Sequence, residues 1–408
     1  MSVRTRVIVL LACLSLVPSV VRAQGHMLHG MGPINSSMGG AGTALPEDSV
    51  AAMMWNPALI GATPGNQVSF TTEFFSNLIK IDVTAFGRTA HSEGTQSLGI
   101  IPAFGWNVKD PTKKVGLGFA LIGIAGFRTD YATDDNSIIF ARPINGGFGR
   151  IFTDYAVLKI PVGASYQVTP KLTLGAQLNI YRANLDICPL PYNVVDTSAT
   201  QKSSLGLPVG YYPCGGNSVG RFALAGQFGV LYAPNPMMSV GASVTTPQNY
   251  APFVWNSTIA DPTSSAFLSP RTHEYDLDGP MVVNYGVGLH PNAKTAVAVD
   301  GVYVKYSGVS GFGSPGGIIL VNGVPTVQPF GWKNINAVKA GVQYQASPMM
   351  NVRLGYSYSQ TPIVADKILT STGAPATFQN HFTAGAGIKV FPFLTLEASF
   401  YYVPREHV

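Results

Sequence analysis

A short phrase recurs six times along the chain: PTKKVGLG at Pro111, PKLTLGAQ at Pro170, PMMSVGAS at Pro236, PNAKTAVA at Pro291, PMMNVRLG at Pro348 and PFLTLEAS at Pro392. Each opens with a residue whose ring presets the backbone for the second position of a tight turn. Polar side chains stand three residues on, at Lys114, Thr173, Ser239, Lys294, Asn351 and Thr395, and an alternation with apolar ones follows. Over residues 351–359, Val352, Leu354, Tyr356 and Tyr358 share one face while Asn351, Arg353, Ser357 and Ser359 share the other. Leu174, Ala176, Leu178 and Ile180 likewise oppose Thr173, Gln177 and Asn179. A period of two is the signature of a β-strand with one wet and one apolar face.

Such strands can build a two-sheet sandwich or a membrane barrel. Only 11% of residues are charged, against about a quarter in a soluble domain. Mean hydropathy is positive, yet no segment of the exported chain approaches the roughly 20 consecutive apolar residues of a transmembrane helix. Candidate strands run about ten residues or more, the length that crosses a bilayer at a tilt. The proline turns are short, whereas the other strand ends are joined by long segments at 128–150, 186–219, 249–278, 307–332 and 361–378. That asymmetry is the outer-membrane pattern, and Tyr166, Tyr232, Tyr303, Tyr306, Tyr344 and Tyr358 stand where interfacial girdles occur. The predicted fold is all-β, a transmembrane antiparallel β-barrel. Strands at 67–76, at 97–107 and around the turns number thirteen. Bacterial single-chain barrels have an even number, so a chain lacking its last loop and strand is the expectation.

Residues 1–23 read as a cleaved secretory signal, with Arg4 and Arg6 before an apolar core at 7–17 and Val21-Arg22-Ala23 at the cleavage position. Leu10-Leu11-Ala12-Cys13 is a poor lipidation box, because it would cut the apolar core to about six residues. Lys and Arg total 25 against 20 Asp and Glu, and three of the Arg leave with the signal, so the exported chain is near +2. No basic stripe remains to neutralise phosphates, which argues against a nucleic-acid partner. Cys13 also leaves, and Cys188 and Cys214 are expected to pair as a loop staple in an oxidising compartment.

Residues 35–59, NSSMGGAGTALPEDSVAAMMWNPAL, are too broken by Gly and Pro for a strand or a long helix. Met53, Met54, Trp55, Leu59 and Ile60 call for burial, which a frayed linker would not supply. Gly39, Gly40 and Gly42 permit backbone conformations closed to other residues, and Pro57 restricts Asn56, whose side chain can hold a tight turn. Residues 24–65 are therefore expected to form a plug inside a barrel built by residues 66–408.

The run Gly39-Gly40-Ala41-Gly42, then Glu47-Asp48, then Asn56-Pro57-Ala58 ahead of a strand-only chain resembles the FadL-type family of outer-membrane transporters for long-chain fatty acids and hydrocarbons. The resemblance implies an even-stranded barrel, fourteen in that family, whose hatch blocks the lumen. It implies passive capture of hydrophobic molecules, an internal apolar pocket and a sideways exit through the wall. It also implies a monomer in the bacterial outer membrane, in contact with lipid and lipopolysaccharide. On that likeness Asn56, Pro57 and Ala58 are the hatch motif and Glu47-Asp48 its acidic shoulder. Residues 115–127, VGLGFALIGIAGF, resemble the family's kinked strand. There Gly123 and Gly126 either break pairing to open the wall or pack as ordinary strand glycines.

Arg221, Lys339 and Arg353 are inward basic residues that either meet a ligand carboxylate or simply face a polar interior. His26, Met27, His29, Met31 and Met38 are soft-metal ligand types without fixed spacing, and Glu274, Asp276 and Asp278 fall short of a calcium loop. No metal, cofactor or catalytic group is assigned, since no nucleophile–base pair or phosphate cradle stands out. The chain reads as a non-enzymatic channel, with a structural or adhesive barrel carrying a sealed hatch as the alternative. Deleting residues 24–61 should convert a closed barrel into an open one in single-channel recordings; unchanged conductance would remove the plug.

Overall fold

Period-two alternation becomes a thirteen-stranded antiparallel sheet in which each wall strand pairs with the next one in sequence. The computed structural model describes residues 25–405 except 64, 78, 86–87, 111, 203–207, 260–264, 266–267 and 322. The signal segment and Pro111 lie outside the described residues. The wall strands are β1 Gln67–Asn77, β2 Ser97–Lys109, β3 Val115–Tyr131, β4 Ile151–Thr169, β5 Leu172–Cys188, β6 Arg221–Asn235 and β7 Met238–Thr245. They continue as β8 Met281–Asn292, β9 Thr295–Lys305, β10 Ile335–Ser347, β11 Met350–Ser359, β12 Asn380–Phe391 and β13 Leu394–Tyr402.

The distribution of side chains is inverted relative to a soluble sheet. On β5, Leu174 and Leu178 are about half exposed while the neighbouring Gln177 and Asn179 are buried. On β10, Val338, Val342 and Tyr344 face outward while Lys339 is buried. An apolar outer face is what lipid requires, and the ladder satisfies the backbone groups that lipid cannot. Among the described residues no helix is long and apolar enough to cross a membrane; the strands do the crossing.

Pro170-Lys171, Pro236-Met237, Pro348-Met349 and Pro392-Phe393 form the two-residue turns that the repeated phrase predicts. Pro291 departs from it. That proline is inside β8, and Ala293-Lys294 make the turn instead. The ladder slips between Leu289 and Asn292, and an irregular strand end is where a residue without an N–H is tolerated.

On the outer side β3, β4 and β5 run for 17, 19 and 17 residues, so residues 128–131 and 186–188, expected in loops, are strand. The outer connections also fold into hairpins of their own, pairing Lys80–Ala85 with Arg88–Glu93, Asp196–Lys202 with Pro208–Tyr211, Phe253–Thr258 with Pro270–Tyr275, and Ile318–Val321 with Val324–Val327. Cys188 and Cys214 are disulfide-bonded at the base of one of these connections. Arg271 clamps Asp196 through two hydrogen bonds of 2.5 Å, tying two hairpins together. Tyr166, Tyr232 and Tyr344 are half exposed near the turns, as a girdle requires. Tyr306 is not a girdle residue: it lies one position past β9, where the chain turns inward, and it is fully buried against Phe312 and Trp332.

Inside the sheet lies the N-terminal segment, folded as α1 Gly32–Ser37, α2 Ser49–Trp55 and a 3₁₀ turn Pro57–Leu59. Helices this short are marginal alone, so their stability comes from burial: Val50, Ala52, Met53, Ala58, Leu59 and Ile60 have no exposed surface. Asp48 caps α2, its carboxylate accepting from the Ala51 N–H at 2.8 Å.

Candidate functional site

The last carbonyls of α2 have no partner within so short a helix, and the wall supplies them. Lys159 Nζ on β4 donates to the Met53 and Met54 carbonyls at 3.2 and 3.3 Å. Gln177 Nε2 on β5 donates to Met53 at 2.9 Å, and Gln227 Nε2 on β6 donates to Met54 and Trp55 at 3.2 Å. Ser243 Oγ on β7 donates to Trp55 at 2.5 Å. Gln227 Oε1 accepts from both Lys159 and Gln177 at 2.8 Å, closing the set. A cation at a helix C-terminus also complements the helix dipole. Sequence reading passed over Lys159 and Gln227; their only signal was a polar side chain on the inward face of a strand.

Asn56 joins the hatch to the wall. Its Oδ1 accepts from the Ala58 N–H at 3.0 Å, while its Nδ2 donates to the Thr43 carbonyl at 2.9 Å and to the Val230 carbonyl on β6 at 3.0 Å. This close approach requires glycine opposite, because a Cβ on Gly175 would collide with the Pro57–Ala58 backbone and one on Gly229 with Asn56 itself. Gly39 and Gly40 follow α1 with φ of +68° and +78°. The Gly39 N–H donates to Thr383 on β12 at 3.0 Å, and the Gly42 and Thr43 N–H groups donate to Asp300 on β9 at 2.7 and 2.8 Å. Burial pushes the Asp48 carboxyl up to about 6, and burial followed by the charge of Asp48 holds Glu47 well above the carboxylate range.

The three basic residues singled out from the sequence are not brought together. Arg353 donates to Glu397 and to Gln343, each at 2.6 Å. Lys339 sits 3.8 Å from the centre of the Trp55 ring, a cation–π contact with the hatch. Arg221 opens β6 at its outer end.

Above the hatch is an aromatic box. The His26 ring stacks on Phe312 at 4.6 Å and 18°, and its Nδ1 pairs with the Tyr306 hydroxyl at 2.8 Å. Tyr155, Trp332, Phe330 and Phe127 complete the cluster. Phe312, Phe330 and Trp332 come from the outer connection 306–334, which dips into the lumen, and no local sequence signal marked that dip. Below the box a cleft with about 420 Å³ of empty space, part of it open, lies against Met27, Met54, Trp55, Ile124 and Tyr181. Nearer the outside a second cleft, with about 490 Å³ of empty space that includes open solvent, is lined by Phe148, Ile187, Pro189, Ile318 and Leu369. Phe330 borders this outer cleft and also belongs to the box. His29 stacks on His381 at 4.6 Å, and Met31 and Met38 are buried.

The ladder of the wall is interrupted beside this box. β1 and β2 pair from Gln67↔Asn107 to Asn77↔Ser97, but β2 and β3 pair only from Lys109↔Gly116 to Ala103↔Ile122. Beyond that point residues 97–102 and 123–131 have no mutual ladder; the Thr95 N–H meets the Asp130 carbonyl at 2.8 Å farther out. The β3–β4 register shifts between Gly123 and Ala125. Even-numbered residues of β3 point inward up to Ile124; past the bulge Phe127 and Thr129 do. The N-terminal segment fills the vacated edge: Met27 bridges Ala125, and the Gly126 N–H donates to the His26 carbonyl at 3.2 Å. Gly123 and Gly126 flank this irregularity.

A strand wall with an apolar belt, a lumen closed by a wall-bonded plug and a gap in one ladder define a plugged outer-membrane channel. The sequence profile of the family described as "Outer membrane protein transport protein (OMPP1/FadL/TodX)" matches residues 14–408, and the chain belongs to that family of non-enzymatic outer-membrane transporters of hydrophobic compounds. The fold is similar to the crystal structure of a Pseudomonas aeruginosa FadL homologue, with a TM-score of 0.69 at 14% identity over 93% of this chain and 91% of that one. It is similar to the Pseudomonas putida toluene transporter TodX, with a TM-score of 0.68 at 17% identity over 94% and 95%. The Ralstonia pickettii toluene transporter TbuX matches with a TM-score of 0.62 at 19% identity over 93% and 99%. Comparison with curated protein sequences gives no match.

Asn56→Ala removes the donor to two carbonyls, and each buried group left unpaired costs about 1–3 kcal/mol. The variant should therefore open in single-channel recordings at lower urea than the parent; an unchanged threshold would deny Asn56 its latching role. Burial pushes His26 down to about 3 from 6.5, and His29 is lowered too, first by burial. A released N-terminal segment binds protons below about pH 6.5 that the docked one cannot, so docking is strongest above that pH and weakens as it falls. Hydrogen exchange at the Leu28 and Gly126 amides, corrected for intrinsic rates, should quicken from pH 8 to pH 5. The change should be smaller in His26→Phe.

Proposed function

We propose that this channel carries small aromatic hydrocarbons passively from the outside into the outer-membrane bilayer. The observation that carries the reading is the aromatic box around His26, in which a planar five-membered ring already lies stacked beside a gap in the wall. A flat apolar ring fits a site built from Phe127, Tyr155, Phe312, Phe330 and Trp332 through stacked and edge-on contacts. A fatty-acid carboxylate is served less well, because Arg353 is engaged by Glu397 and Lys159 by the α2 carbonyls. The toluene channels TodX and TbuX, which share the fold, support the same choice.

On this reading substrate enters by the outer cleft and passes Phe330 into the box. It displaces His26 and Met27, and leaves between β2 and β3 past Gly123 and Gly126. The hatch, latched through Asn56, Pro57 and Ala58 with Glu47 and Asp48 at its shoulder, stays seated, so no aqueous pore opens. The channel acts as a monomer, surrounded by lipid and lipopolysaccharide.

The exit can be stapled. The position of a Cβ on Gly123 is 4.0 Å from that of Ile101, within the usual disulfide range of about 3.5–4.5 Å. Ile101→Cys combined with Gly123→Cys should abolish uptake of labelled toluene when oxidised and restore it on reduction, with neither single variant redox-sensitive. Equal uptake in both redox states would remove the wall gap from the route. Uptake of a long-chain fatty acid in place of toluene would overturn the substrate assignment. Uptake of neither, with loop-dependent cell adhesion, would favour the adhesive barrel.

A further inference from the structure

We infer that the aromatic box favours a ring bearing one hydroxyl group, a neutral phenol, and that the Tyr306 hydroxyl is the group that recognises it. This rests on the aromatic-uptake reading above and narrows its substrate class: a bare ring still fits by stacking, and the hydroxyl adds a preference.

His26 holds the place of the substrate ring. It lies on Phe312 at 4.6 Å and 18°, the contact a flat ligand would make. Unlike a hydrocarbon, it also has a polar edge, and that edge is used. Nδ1 meets the Tyr306 hydroxyl at 2.8 Å, and the His26 backbone N–H donates to the same oxygen at 3.3 Å. Among the described residues these are the two partners of that hydroxyl, and both belong to His26. With the imidazole proton on Nε2, Nδ1 accepts the hydroxyl proton, so donor and acceptor are both satisfied. Gly25, with φ +71°, lets the chain lie against this oxygen, where a Cβ would collide with it.

The hydroxyl has no water to turn to. Tyr306 has no exposed surface, and its ring is held edge-on to Phe312 and Trp332 at 67° and 89°. The Trp332 N–H is taken by Ser371 Oγ at 3.2 Å. A substrate that displaces His26 therefore strips both partners from a buried group, which is costly when nothing replaces them. Toluene or xylene offers no replacement, and a ring nitrogen would accept one proton and give none. A phenolic hydroxyl accepts and donates at once, so it restores both bonds. A site built to hydrogen-bond a substrate hydroxyl discriminates against the analogue that lacks it.

One rival for the hydroxyl lies close by. Asn284, 2% exposed, donates from Nδ2 to Ser243 Oγ at 3.3 Å, and its Oδ1 has no partner. It lines the cleft that His26 also borders.

The test compares p-cresol with p-xylene, which differ by a hydroxyl in place of a methyl. Dissociation constants are measured by titration calorimetry on the full barrel in lipid nanodiscs, with empty nanodiscs subtracted. The ratio of the two constants cancels the cost of displacing His26, which both ligands share. Tyr306→Phe removes one oxygen and keeps the ring, and it should shift that ratio about tenfold toward p-xylene. His26→Phe changes the group displaced and not the site that receives the ligand, so the parent ratio should persist. Asn284→Leu should leave the ratio unchanged as well.

A ratio that Tyr306→Phe does not move would overturn the proposal and leave aromatic uptake standing. A ratio that moves in Asn284→Leu and not in Tyr306→Phe would give the hydroxyl to Asn284, with the same consequence. A ratio altered by His26→Phe would mean that the ligand does not take the place of His26, which also sinks it. Binding of neither ligand to the parent barrel would remove the uptake reading itself, and the inference with it.

Discussion

A strand with lipid on one side has a single face left for chemistry, and this molecule is arranged around that restriction. Outward positions such as Leu174, Leu178, Val338 and Val342 are committed to the membrane. The wall side chains that hydrogen-bond to the hatch must therefore be the inward residues of those same strands. Lys159, Gln177, Gln227 and Ser243 are such residues, and they converge from four strands on the free carbonyls at the end of α2. A helix of seven residues has almost no stability of its own. Its fold is in effect completed by the barrel.

The same restriction explains the glycines of the wall. A plug whose backbone must hydrogen-bond to strands needs to come close to them, and a side chain between the two would hold them apart. Gly175 and Gly229 give way to Asn56, Pro57 and Ala58, and Gly341 gives way to Met38. The hatch backbone therefore comes close to the wall backbone, and Asn56 donates to the Val230 carbonyl of the wall while its other bonds, to Thr43 and Ala58, hold the hatch turn. On the proposed reading that closeness seals the lumen against water and ions, and small apolar molecules leave separately through the wall.

The interruption of the β2–β3 ladder lies beside one extra residue. The bulge at Ile124 exchanges the faces of β3, which brings Phe127 into the aromatic box and ends the ladder with β2 at Ala103↔Ile122. Pocket and gap thus share one cause. The N-terminal segment covers the exposed backbone of β3 through Met27 and Leu28 and inserts His26 into the box. On the proposed reading an apolar ring arriving in the box competes for the space of the same segment that shields the gap.

Period-two alternation and the proline phrases determined the strands, their faces and the side on which the turns lie, because each of these is a local property of backbone and solvent. The turn at Asn56-Pro57-Ala58 was legible for the same reason: proline and asparagine act on their own neighbours. Pro291 and Tyr306 were misplaced where a register slip or an inward turn overrode the local pattern. The partners of α2, the box built by Phe312, Phe330 and Trp332, and the divergence of Arg221, Lys339 and Arg353 belong to the tertiary structure alone. They depend on strand register and on the path of long outer connections, and contacts between residues hundreds of positions apart leave no periodic trace in the chain. The sequence by itself specified a barrel with something inside it; packing decided what holds that plug, which aromatic side chains gather above it and where the β2–β3 ladder ends.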